Sequence, residues 1–406
     1  MVAINSGDTA WVLISTALVI LMTPALGFFY GGMVRKKNLL STVMLSVVIL
    51  VLISVQWVLY GYTLAFGPDK GGIIGGLQWL GLMGVGQLPN AAYAATIPHL
   101  AFMVFQLAFA VITPALITGA FVERINFPGF LVFTLLWSTF IYDPVAHWVW
   151  GMGGFLRNLG ALDFAGGTVV HITAGLSALA VAMVIGNRKG HGKYPMEPSN
   201  IPLTVLGAFL LWFGWFGFNG GSALSAGGLA TSAVVVTNTA AAAAGLVWMI
   251  ISWIHKRPSV LGLATGVVVG LVAITPASGY VSPLSALAIG AIAAIISYYA
   301  IIIRTKTGLD ESLDVFACHG MGGITGALLT GVFAEKAINP AGANGWIMGN
   351  PHQFVVQLIA VATVVVFSFF GAFIIAKVVD AVFSMRVRES EEDVGLDISQ
   401  HGESII

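Results

Sequence analysis

Residues 234–251 read VVVTNTAAAAAGLVWMII, and residues 12–22 read VLISTALVILM. Neither run carries an ionisable side chain, and neither alternates apolar with polar residues. A membrane-spanning β-strand would alternate, with lipid on one face and a lumen on the other. A helix embedded in lipid satisfies its own backbone and is apolar all round. Stretches near the 20 or so residues that a spanning helix needs recur at 10–33, 41–66, 98–122, 128–147, 165–186, 200–219, 232–254, 259–277, 282–303, 314–334 and 353–384. The reading predicts an all-α polytopic membrane protein with eleven transmembrane helices. The Gly-rich stretch 67–97 reads as a loop outside the membrane, with room for a short helix.

Composition agrees. Of 406 residues, 58% are hydrophobic and only 8% charged, against roughly 25% charged in soluble domains. That excludes a soluble multidomain protein. Fifty glycines suit close helix packing in lipid, and they show no collagen-like period of three. Basic and acidic residues balance at 17 each, which leaves no basic surface for nucleic acid. The single Cys318 can form no internal disulfide and no cysteine metal framework. There is no Walker loop, zinc helix or dinucleotide fingerprint, so no cofactor or metal is expected. The start, MVAINSGDTAW, has no basic n-region and is read as lacking a cleavable signal.

Charge sets the orientation. Counted from the N-terminus, the odd-numbered loops and the end of the last span hold 14 of the 17 basic residues; the even loops hold only Lys70, Arg157 and Lys336. The positive-inside rule then places the N-terminus outside and the C-terminus in the cytoplasm, which requires an odd number of spans. Within the fifth and tenth spans stand His171-Ile-Thr-Ala-Gly175 and His319-Gly-Met-Gly-Gly323. Both are His-x-x-x-Gly in an apolar helix. Two five-helix repeats, about 10–187 and 200–334, would be inverted and would bring these segments together near the midplane. The extra helix, about 353–384, completes a transmembrane unit over 1–385. Residues 386–406 form a polar, acidic cytoplasmic tail.

Ionisable groups inside a bilayer are functional candidates. His171 and His319 can share one N–H···N hydrogen bond and so hold a small solute or pass a proton; the plain alternative is a packed, satisfied core histidine. Asp163 precedes the fifth span and reads as a helix N-cap, or as a counter-charge drawing a cation to the pore. Asp314 reads as a cap or an inner-vestibule charge. Phe105 and Phe109 share a helical face at i and i+4. Trp150 and the Trp215-Phe-Gly-Phe218 segment sit toward the outer ends of their spans. With Ser222 they can bind a small cation through cation–π contact, or they form an interfacial belt.

The chain resembles the ammonium transporter family, which includes the Amt, Mep and Rhesus proteins, and most of all its prokaryotic Amt branch. The motifs are Gly27-Phe-Phe-Tyr-Gly-Gly32, Phe105-Gln-x-x-Phe109, Glu123-Arg124-Ile, Asp163-Phe-Ala-Gly-Gly-Thr-Val-Val-His171, Trp215-Phe-Gly-Phe-Asn219, Ile274-Thr-Pro-Ala-Ser-Gly279, Asp314-Val-Phe-x-x-His319-Gly and Gly395-Leu-Asp-x-x-x-His401-Gly-Glu403. The resemblance runs essentially end to end. It implies a homotrimer with one pore per subunit. It implies that Phe105, Trp150 and Ser222 form an external ammonium recruitment site beside Asp163, and that Phe109 and Phe218 form a stacked gate. His171 and His319 are the implied twin pore histidines, with Trp215 and Thr275 beside them. Methylammonium is the expected substrate analogue. A PII-type signal protein is the expected cytoplasmic inhibitor, and the tail is expected to be an ordered regulatory element held by Arg188 and Lys189 and anchored through Leu396 and Ile398.

Other functions fit less well. An intramembrane serine protease needs a serine near a histidine, but Ser222 is expected at the outer mouth and His171 near the midplane. A neutral-gas channel leaves the cation-binding aromatics without a purpose. A sensor would carry more than a tail of about twenty residues.

Overall fold

The computed structural model describes residues 4–405 and is mainly helical, with almost no strand. Among the described residues, ten helices are long and apolar enough to cross a membrane: α1 Ser6–Met33, α2 Lys36–Phe66, α3 His99–Ala120, α4 Phe127–Leu159, α5 Gly167–Ile185, α6 Ile201–Gly221, α7 Gly228–His255, α9 Pro283–Thr307, α10 Phe316–Phe333 and α11 Pro351–Phe383. An eleventh, α8 Val260–Ile274, is shorter, and the chain continues from it through turns over 275–280. All eleven expected spans are therefore present. The stretch expected to be a loop with room for a short helix contains a two-stranded antiparallel hairpin, β1 Asp69–Lys70 and β2 Ile74–Gly75, followed by a 3₁₀ turn.

Glycine decides which helices touch most closely. On α6, a Cβ added at Gly207 would lie 2.3 Å from Phe29 N, and one at Gly214 would lie 2.2 Å from Met22 Cγ. These bare positions let α1 and α6 meet backbone to backbone, as in small-residue interfaces of membrane helices. The same device joins α5 and α10. A Cβ on Gly175 would lie 2.1 Å from Gly320 N, and one on Gly323 would lie 3.1 Å from both Gly167 O and His171 Cβ. The repeated His-x-x-x-Gly motif is thereby explained. In each helix the glycine makes room for the partner's histidine-bearing turn.

Both of those turns are π-helical, over Gly167–Ile172 and Phe316–Met321, before each helix resumes α geometry. The extra residue per turn re-aims side chains, which is why such turns recur at functional sites. Two more occur at Trp57–Gly61 in α2 and Ser138–Tyr142 in α4.

The basic loops converge on one end of the bundle, and the tail lies against them. Met385 O accepts from Asn126 N at 2.8 Å and Val387 N donates to Arg124 O at 3.0 Å. Two short helices follow, α12 Glu389–Val394 and α13 Leu396–His401.

Candidate functional site

Asp163 organises one end of the site. Its carboxylate accepts from the backbone N–H groups of Gly166 (2.8 Å), Gly167 (2.6 Å), Thr168 (2.8 Å) and Val169 (3.1 Å), and from the Thr168 hydroxyl. These are the orphan donors at the start of α5, where the helix dipole also favours an anion. Both carboxylate oxygens are turned to the helix. This is the geometry of a helix N-cap. Its backbone carbonyl accepts from Trp150 Nε1 at 2.9 Å, which fixes the indole.

Trp150 borders a cavity of about 580 Å³ together with Phe109, Ser222, Phe102 and Gln106. Ser222 donates its hydroxyl proton to Phe218 O at 2.8 Å. Phe105 departs from the expectation. It is fully buried and is absent from the cavity wall. Its ring packs edge to face on Phe109 at 5.0 Å and fills the space beside Gly221. At i and i+4 the two phenyl rings do share a face, but Phe109 stands between Phe105 and the cavity.

Phe109 and Phe218 close the floor, with ring centroids 4.3 Å apart. Beneath them lies a space of only about 10 Å³, lined by His171, Trp215, Phe218, His319 and aliphatic side chains including Leu26 and Val170. A single water needs at least about that much room. His171 stacks on both Phe218 (6.0 Å) and Trp215 (5.4 Å), which also touch each other at 5.4 Å. Its Nδ1 lies 3.3 Å from Nδ1 of His319. One of these nitrogens carries the proton and the other accepts it. Nε2 of His171 is buried and meets no protein partner. Trp215 donates to the Thr275 hydroxyl at 2.9 Å, and that hydroxyl donates to Leu271 O. Thr275 therefore orients the indole rather than presenting its own proton to the lumen.

His319 also borders a second cavity, of about 210 Å³, at the opposite end. Tyr30, Met33, Met196, Ser312 and Asp314 line it. Glu311 takes the capping role at the start of α10, accepting from Val315 N at 2.8 Å. Asp314 pairs with Arg304 at 2.7 Å and forms part of the cavity wall instead. Two open cavities, a closed ring pair and a narrow histidine space thus lie in series. Ser222 and His171 are on opposite sides of the ring pair, so they form no nucleophile–base couple.

The basic end holds a network that sequence reasoning did not find. Glu123 is buried and accepts from Arg35 Nε (2.9 Å), Asn38 Nδ2 (2.9 Å) and Arg188 Nη1 (2.5 Å). Arg188 also holds Asp310 through Nη2 at 2.8 Å. Burial alone would raise both carboxyls, but the Arg188 guanidinium and its neighbours outweigh it, and both sit below the ordinary carboxylate range. Arg124, wholly buried, donates to Gly186 O, Ala120 O, Asp310 O and the Ser312 hydroxyl. Desolvation lowers its pKa to about 10. The signal for this network was the Glu123-Arg124-Ile string, whose partners lie far away in sequence.

The tail docks on that network, with two corrections. Lys189, not Arg188, holds tail carboxylates: its Nζ lies 2.6 Å from Asp393 and its backbone N–H donates to Glu392 at 2.5 Å. Arg188 is already committed to Glu123 and Asp310. Leu396 is buried, while Ile398 is exposed and anchors nothing. The Asp397 carboxylate caps the start of the α-helical part of α2, accepting from Ser41 N at 2.7 Å and Leu40 N at 3.1 Å.

A family model described as Ammonium Transporter Family matches residues 10–405. Ammonium transporter Amt1 of Archaeoglobus fulgidus is 51% identical over 400 residues, covering 98% of this chain and 99% of that protein. The ammonium transporter of Bacillus subtilis is 49% identical over 399 residues, covering 98% of each. Among solved structures, Candida albicans Mep2 superposes with a TM-score of 0.90 at 34% identity, over 96% of this chain and 88% of that one. A protein titled Sensor Amt Protein gives 0.89 at 31% identity, over 97% and 98%. A match of this extent shows that the chain belongs to the ammonium transporter family, a family of multi-pass membrane transporters and not of enzymes.

Proposed function

We propose that the protein carries ammonium across the cell membrane by separating it into ammonia and a proton. Ammonium collects in the Trp150 cavity, where the indole, Phe109 and the Ser222 oxygen face it and the Asp163 charge attracts it. Phe105 supports Phe109 from behind. The ion loses a proton there, and ammonia passes the Phe109–Phe218 pair when the rings swing. Ring flips are fast and need not limit turnover. Ammonia then moves along His171 and His319, flanked by Trp215 and Thr275, and is reprotonated in the cavity beyond. The histidine pair relays the proton, so net ammonium moves.

One observation carries this reading: the passage narrows to about 10 Å³ at two mutually hydrogen-bonded imidazoles. A bare cation would lose its hydration there with nothing to replace it, at high cost. Potassium, close to ammonium in size, cannot shed its charge by losing a proton. Ammonium can, and the neutral product still hydrogen-bonds. Charge placement supports a Trp150 cavity facing outward and a basic end facing the cytoplasm. Family resemblance supports a homotrimer, a tail that regulates it, and a PII-type protein acting on the cytoplasmic face.

The test is current recorded from protein reconstituted in a lipid bilayer. Ammonium and methylammonium should give inward current and potassium none. Ammonium flux without current would remove the proton relay, and a potassium current would remove the deprotonation step.

A further inference from the structure

Two of the four π turns belong to no part of the passage. In α4 the turn at Ser138–Tyr142 sets Ser138 beside Asp143, whose N–H donates to Ser138 O. In α2 the turn at Trp57–Gly61 follows Gln56, and the Gln56 amide lies against Gly61. A Cβ at Gly61 would sit 2.5 Å from Gln56 Oε1. The two turns meet where Gln56 Nε2 donates to Asp143 Oδ2 at 2.9 Å. None of Gln56, Ser138 and Asp143 borders any of the cavities of the passage.

Asp143 is fully buried and Gln56 nearly so. Yet Asp143 Oδ1, Gln56 Oε1 and Ser138 Oγ are buried without a protein partner. An ionised carboxylate oxygen and an amide oxygen only accept hydrogen bonds. What satisfies them must therefore donate or carry positive charge. Among the described residues, no neighbouring side chain reaches them with a hydrogen bond. His147, one turn further along α4, already has Nδ1 on Ala65 O and Nε2 on Asp69, each at 2.9 Å. Among the described residues, Gln56 Nε2 is the only side-chain donor that reaches Asp143. A bare carboxylate inside a helical bundle is costly.

We propose that Asp143, Gln56 and Ser138 bind a small monovalent cation that ties α2 to α4 behind the passage. One carboxylate matches one positive charge. Carboxylate, amide and hydroxyl oxygens are hard donors that suit hard cations. Sodium and ammonium share this chemistry, the first as a coordinated ion and the second as a donor of hydrogen bonds. The site stands apart from the proposed transport path and does not depend on it.

The experiment uses the full chain in lipid nanodiscs, exchanged into choline chloride and titrated with sodium or ammonium chloride at constant ionic strength. Thermal unfolding is the readout. A saturable rise of several degrees is expected with at least one cation. Sodium alone, or both, identifies an inorganic ion site. Ammonium alone identifies the transported species, provided the rise is lost in Asp143→Asn; a rise that survives in Asp143→Asn comes from the passage and overturns the proposal. Gln56→Leu should shift the titration to higher cation concentration. Should Asp143→Asn fail to fold, infrared spectra of the wild type decide. A carboxylate in sodium or ammonium supports the site. A protonated-carboxyl band that no cation removes shows a neutral Asp143 and overturns it, as does a wild-type melting temperature indifferent to both cations.

Discussion

His171 and His319 commit their Nδ1 atoms to each other and stand at the narrowest point of the passage. Removing one imidazole leaves the other without its partner and opens room for water. His171→Ala should therefore lose transport, or keep flux and admit potassium. Uptake of methylammonium set beside potassium current separates these outcomes, and unchanged selective transport would remove the relay. The Phe109–Phe218 contact is a steric stop at 4.3 Å. Phe218→Ala should connect the Trp150 cavity to the histidine space, seen as protection of the histidine space being lost to water-soluble probes. The histidines were legible in the sequence because ionisable groups are rare in apolar helices. Phe105 was misplaced because a 100°-per-residue face tells which side a ring takes, not which ring of two reaches the lumen. Apolar lining such as Leu26 and Val170 could not be told from lipid-facing residues, since both are simply apolar.

At the scale of elements, the apolar runs marked the helices well, while the π turns inside them were invisible. The same residues form α and π geometry, and only packing between helices selects the wider turn. The loops posed the opposite problem. Glu123, Arg188 and Asp310 come from three separate connections and meet only once the bundle is assembled. Their pairing has a thermodynamic signature. Both carboxyls are stronger acids folded than unfolded. Their contribution is complete above the ordinary carboxylate range near pH 4 and is lost as pH falls through the lower folded values. Thermal stability should thus fall progressively as pH drops below about 5 and on through the lowered folded values, with a shallower drop in Glu123→Gln. At neutral pH that variant leaves two guanidiniums short of their partner, which typically costs about 3–5 kcal/mol. Scanning calorimetry at pH 7 and across the acid range measures both effects.

For the whole molecule, the question is what the docked tail does to the helices it touches. Composition alone would read 386–406 as a solvated acidic end. The packing gives the reasons it is ordered. Gly395 holds φ +104°, and a Cβ there would sit 2.6 Å from Lys37 Cβ and O, so only glycine lets the chain turn against α2. Lys37 Nζ donates to the carbonyls of Glu392 and Asp393, each at 2.7 Å. Leu396 is buried, and Asp397 caps two backbone N–H groups of α2. At its far end, His401 packs edge to face on Phe127 of α4 at 5.0 Å. The tail thereby joins the beginnings of α2 and α4 to Lys189, in the loop that follows α5, the helix that carries His171. Deleting 386–406 should leave the apolar bundle folded, because its core lies in the helices, but should expose the capped start of α2 and loosen the loop after α5. Transport should fall several-fold in the truncated protein, with a normal elution profile in detergent. Gly395→Ala should reproduce that fall without removing any tail contact residue. Full transport in both variants would show that the tail rests on the basic end without acting on the passage.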